Sequence, residues 1–65
     1  MNQTVWEKGQ YRLDKTSDTT YAVYINRYEI NIWQEDGEFV SSELHMIELP
    51  KYVRQAIKKI VGDVI

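Results

Sequence analysis

The stretch that decides the fold runs from residue 27 to residue 46 and reads RYEINIWQEDGEFVSSELHM. Tyr28, Ile30 and Ile32 alternate with Glu29, Asn31 and Trp33, which is the period of a strand with one buried face. Asp36-Gly37 then signals a turn, and a second strand-like run, FVSSELHM, follows it.

The register can be tested on both sides. Upstream, TYAVYI alternates Tyr21, Val23 and Ile25 with Ala22 and Tyr24. If Asn26-Arg27 is a two-residue turn, Ile25 faces Tyr28, Val23 faces Ile30 and Tyr21 faces Ile32. Every apolar residue then meets an apolar partner, as a one-sided sheet requires. Asn26 tolerates the positive φ such a turn needs, although Arg27 is a weak choice at the second position. Downstream, a two-residue Asp36-Gly37 loop sets Ile32 against Ser41 and Ile30 against Glu43. A three-residue Glu35-Asp36-Gly37 loop sets Ile32 against Val40 and Tyr28 against Leu44. Apolar matching favours the longer loop, with Gly37 in the left-handed position. This choice pairs Trp33 with Phe39 on the face away from the core.

Working outward, GQYRLDK alternates Tyr11 and Leu13 with polar residues, and KTSDTT is a polar loop. Glu7 falls on the inward parity, so Gly9 is read as a bulge that resets the strand, and the side taken by Trp6 stays open. LPKYVRQAIKKIVGDVI changes to helical period, with Val53, Ala56, Ile57, Ile60 and Val64 on one stripe and Val61 at its margin. Pro50 suits the helix start, Gly62 suits its stop, and Lys58 and Lys59 suit the negative end of its dipole. The pattern predicts an α+β fold: a four-stranded antiparallel β-meander with one C-terminal α-helix packed on one face. Strands are expected at about 5–14, 20–26, 28–34 and 38–47, and the helix at about 50–62. The expected core is Tyr11, Leu13, Tyr21, Val23, Ile25, Tyr28, Ile30, Ile32, Val40, Leu44, Met46 and the helix stripe.

Composition narrows the function. The chain has 65 residues, so one domain is expected, and it has no cysteine and one histidine, His45. Disulfides and thiolate metal sites are excluded, and a histidine-based metal site within one chain is disfavoured. The opening MNQTVWEKGQ is polar and no apolar run is long enough to span a bilayer, so a cytoplasmic protein without membrane contact is expected. The net charge is −2, divided as −5 over residues 1–50 and +3 over residues 51–65. An acidic body is not the signature of a general nucleic-acid binder.

No catalytic constellation emerges, so the chain is read as no enzyme and no cofactor is assigned. Ser41 and His45 share a strand face, but four residues along a strand is roughly 13 Å, beyond hydrogen-bond reach. Glu35, Asp36 and Glu38 surround Gly37 without the spacing of a calcium loop, so a solvated turn is the simpler reading. Lys51, Arg54 and Lys58 lie beside an apolar helix stripe. That arrangement suits an anionic surface or a partner groove, but a core-facing helix with a solvated polar face explains it first.

The uncovered sheet face holds the candidate partner-binding residues Tyr24, Trp33, Phe39, Asn31 and Arg12. Aromatics on an exposed sheet mark interaction surfaces, although cross-strand aromatic pairs also simply stabilise small sheets. The expected function is a small interaction or regulatory module that binds a protein partner. Self-pairing into a homodimer through the open fourth strand is its extension. The alternative is single-stranded nucleic-acid binding on the same aromatics, with Lys8, Arg12 and Arg27 supplying charge. The order strand, acidic-glycine turn, strand and IELPKYVRQAIKKI (residues 47–60) looks like the strand-to-helix end of the positive-cofactor type of single-strand DNA-binding fold. The likeness spans roughly the second half of the chain, which departs from that type in lacking a basic sheet surface.

Overall fold

A computed structural model describes residues 2–65. The chain is a five-stranded antiparallel meander, order β1-β2-β3-β4-β5, followed by a 3-10 turn and one helix, in the predicted α+β class. The strands are β1 (Gln3–Lys8), β2 (Tyr11–Ser17), β3 (Thr20–Ile25), β4 (Tyr28–Glu35) and β5 (Glu38–Val40). The 3-10 turn is Leu44–Met46 and the helix, α1, is Lys51–Ile60. Among the described residues no helix is long and apolar enough to cross a membrane.

The β3–β4 register is the predicted one, with Tyr21 opposite Ile32, Val23 opposite Ile30 and Ile25 opposite Tyr28. Asn26 takes φ 55° at the turn. The run read as one first strand is two. Gly9 is not a bulge: with φ 61° it starts a tight reversal that sets Lys8 opposite Tyr11. The bulge lies at Val5, between the pairs Thr4–Asp14 and Trp6–Leu13. That extra residue turns Trp6 and Lys8 to the helix side. Trp6 packs 6.4 Å from the Tyr52 ring, and Lys8 Nζ sits 4.8 Å from the same ring centroid. Lys8 therefore leaves the face on which it was expected.

The β4–β5 loop corrects the sequence reading. Trp33 pairs with Val40, Gln34 with Phe39 and Glu35 with Glu38, so the loop is Asp36-Gly37 alone. Asp36 (φ 54°) and Gly37 (φ 80°) are both left-handed, as the mirror-image hairpin turn demands. Trp33 and Phe39 consequently lie on opposite faces. The fourth expected strand also ends at Val40 rather than near residue 47. Ser41 Oγ accepts hydrogen bonds from the Glu43 and Leu44 amides at 3.4 and 3.3 Å and bends the chain away. Leu44 then reaches the core from a 3-10 turn instead of a strand.

The core lies between the sheet and α1. Leu13, Val23, Ile30 and Ile32 from the sheet meet Leu44, Leu49, Val53 and Ile57, all buried. Three residues expected in this core are outside it: Met46 is 82% exposed, Tyr28 is 48% exposed, and Val40, shifted by the two-residue loop, pairs with Trp33 on the opposite face. Tyr28 sits at the sheet end, where its hydroxyl donates to Glu43. Gly62 (φ 110°) stops the helix, its amide donating to the Ile57 carbonyl at 3.1 Å. The chain then returns to β5. Val64 forms a parallel bridge with Phe39, and the Ile65 amide donates to the Phe39 carbonyl at 2.8 Å. The edge expected to be open for self-pairing is thus partly occupied by residues 64 and 65.

Candidate functional site

The sheet face opposite α1 is built from alternate residues of all five strands. Glu7, Arg12, Tyr24 and Glu29 form one cross-strand row, and Thr4, Asp14, Ala22 and Asn31 form the next. Trp33 and Val40 lie beyond them on β4 and β5. Of the five residues expected to bind a partner, Arg12, Tyr24, Asn31 and Trp33 share this face. Phe39 does not. It is half-buried on the helix side, with its ring edge-on to Tyr21 at 5.8 Å.

Each aromatic on this face is held by an acid. The Tyr24 hydroxyl donates to Glu29 Oε2 at 2.7 Å, and Trp33 Nε1–H donates to Glu35 Oε2 at 2.7 Å. The bond to Glu29, helped by partial burial and the nearby negative charge, raises the Tyr24 pKa above its usual 10.0. The Arg12 guanidinium lies 4.4 Å above the Tyr24 ring, a cation–π contact between neighbouring strands.

Asp14 was not singled out from the sequence. It is 3% exposed and is the one buried charged residue among those described. Thr4 Oγ1 donates to Asp14 Oδ1 at 2.8 Å, and Arg12 Nε lies 3.1 Å from the same oxygen. The latter is an ion-pair distance without hydrogen-bond alignment. A signal for this pair exists in the sequence, since residues 12 and 14 must share a strand face. Arg12 thus joins the two rows, resting on Tyr24 and neutralising Asp14.

The result has relief. Ala22, fully covered, sits between Asp14 and Asn31 at the low point. Tyr24 rises on one side. Trp33 rises on the other, four strand positions or roughly 13 Å away. Where the turns at residues 9–10 and 26–27 meet, Asn26 bonds Gln10 through both its backbone amide (2.8 Å) and its side-chain amide (3.0 Å). Beside that clamp is a cleft of about 160 Å³ bordered by Glu7, Gln10, Arg12, Tyr24 and Asn26. The charged residues of the face are Glu7, Asp14, Glu29, Glu35 and Glu38 against Arg12, a net of −4.

His45 is exposed, its Nε2 2.7 Å from the Val64 carbonyl, while Ser41 Oγ accepts from the Glu43 and Leu44 amides. Among the described residues no three His, Asp or Glu side chains gather as a metal site. No family model matches this chain, and neither the curated proteins nor the solved structures searched contain a match to it.

Proposed function

We propose that this chain is a small non-enzymatic interaction module whose working surface is the sheet face carrying Tyr24, Trp33, Arg12 and Asn31, and that its partner is a protein with a basic contact surface. The observation that carries this reading is that both aromatic rings are pinned by their own carboxylates, Glu29 and Glu35, on a face with net negative charge. Pinned aromatics lose little side-chain entropy on binding and act as anchors. The surrounding acids favour and steer a cationic partner. The cleft beside Arg12 and Tyr24, with Glu7 on its wall, has room for the tip of one lysine or arginine.

The same charge argues against the nucleic-acid alternative, because a phosphate backbone would meet a carboxylate beside each aromatic. Light scattering on the wild-type chain and on Trp33→Ser separates self-contact from a foreign partner. Capture of partners at low salt by wild type and by Trp33→Ala is the direct test. The expected result is a basic protein bound by wild type, released by salt, and lost with Trp33→Ala. A labelled single-stranded oligonucleotide that binds wild type but not Trp33→Ala would replace this reading with the alternative.

A further inference from the structure

A second surface, on the helix side, is independent of the sheet face. The extended segment at residues 47–49 runs beside the C-terminal half of α1. Ile47 has strand dihedrals (φ −110°, ψ 131°), yet among the described residues Ile47, Glu48 and Leu49 pair with no strand. Backbone groups of this kind bond either water or an added strand. Between this segment and the helix is a cavity of about 290 Å³ with a floor of Leu44, Ile47, Leu49, Ile57 and Val64. Arg54 and Lys58 stand on its rim, and His45 borders it at the other end. Met46, expected in the core, is instead exposed beside it.

Charge identifies the occupant. The solvent side of α1 presents Lys51, Arg54, Lys58 and Lys59, all exposed, against Glu48 and Asp63. Lys58 Nζ bonds Asp63 Oδ1 at 2.5 Å and holds that carboxyl below its usual pKa. Both side chains are well exposed, at 72% and 83%, so an incoming carboxylate can exchange with the pair at little cost. The geometry points to a docking groove for an extended acidic segment of another protein. Such a segment adds as a strand along residues 47–49, places one aliphatic side chain in the cavity and sets its flanking carboxylates on Arg54 and Lys58. The groove asks for both features together, since its floor is apolar and its rim, Arg54 and Lys58 against Asp63, is net positive.

The test titrates the 15N-labelled full chain with the blocked peptide Ac-Glu-Leu-Glu-Leu-Glu-NH2. Two controls replace its glutamates by lysine or its leucines by serine. The expected result is saturable movement of the Ile47, Glu48, Leu49, His45 and Val64 amide signals with the first peptide alone. Arg54→Glu combined with Lys58→Glu, both exposed positions, should weaken it by about tenfold or more with the remaining spectrum unchanged. Should that double reversal perturb folding, Arg54→Gln serves as the milder variant, with a smaller weakening expected. Three results would overturn the proposal. One is no movement at millimolar peptide. Another is equal movement with the serine peptide, or movement confined to Lys51 and Lys59, which is plain charge attraction. The third is concentration-dependent movement of the same signals without peptide, which would assign the groove to a second copy of the chain.

Discussion

The Arg12–Asp14 pair makes a quantitative demand. Two unit charges about 4 Å apart at an effective dielectric of about 20 attract by roughly 4 kcal/mol. Asp14 has a side chain 5% exposed, but that of Arg12 is 41% exposed, so solvent screens much of this. The cost of Arg12→Ala should fall between that of a surface pair, below about 1 kcal/mol, and that of a broken buried pair, about 3–5 kcal/mol. We expect about 2 kcal/mol, because Thr4 alone then satisfies a carboxylate that is still buried. A chain of 65 residues has a total stability of only roughly 3–10 kcal/mol, so the loss is large. With a urea slope near 1 kcal/mol/M, the unfolding midpoint should drop by about 2 M. Arg12→Ala also removes the contact with Tyr24, so the charge effect is isolated by a double-mutant cycle. In an Asp14→Ala background the same arginine change should cost about 1 kcal/mol less. Additive losses, or a loss below about 0.5 kcal/mol for Arg12→Ala, would refute the claim that this pair holds the face together.

Phe39→Ser and Trp33→Ser should differ in stability. Phe39 packs on Tyr21 within the core side and should cost about 2 kcal/mol, whereas Trp33 should cost about half as much or less. Thermal melts would show this as a difference of several degrees, and the reverse order would place the aromatics on the wrong faces. The hydrogen bond that raises the Tyr24 pKa favours its neutral form in the folded state. Its contribution is therefore complete below the unfolded value of 10.0 and is lost as pH rises through the higher folded value. Ultraviolet titration of tyrosinate should show one tyrosine ionising at lower pH in Glu29→Gln than in wild type. Unchanged titration would remove the Tyr24–Glu29 bond from the description.

How far the sequence could be read depended on how much of each pairing was strand. Around Asn26-Arg27 both flanks are full-length strands, so apolar matching had three pairs to work with and identified the register. Around Asp36-Gly37 the partner strand has three residues. One of the two matches that favoured the longer loop used Leu44, which lies beyond the point where the Ser41 hydroxyl turns the chain. Local turn chemistry decided there, and Asp-Gly took its preferred two-residue form. The same kind of miss explains β1. Glu7 had the wrong parity for a straight strand, and a tight reversal at Gly9 plus a bulge at Val5 resolved it rather than one bulge at Gly9. In the candidate site, Tyr24, Asn31, Arg12 and Trp33 followed from β2–β4 alternation alone. Asp14 went unnoticed because a buried acid is recognised by its partners across strands, Thr4 above all, and that contact depends on the bulge.

The central claim is that the free face is built on Tyr24 and Trp33 without Phe39. It is tested most directly by cross-strand proton contacts between β4 and β5 in a nuclear Overhauser spectrum of the labelled chain. The expected result is a set of contacts joining Trp33 to Val40 and Gln34 to Phe39, with Phe39 ring protons near Tyr21. Contacts joining Trp33 directly to Phe39 across the strands would contradict it, and would return Phe39 to the exposed face.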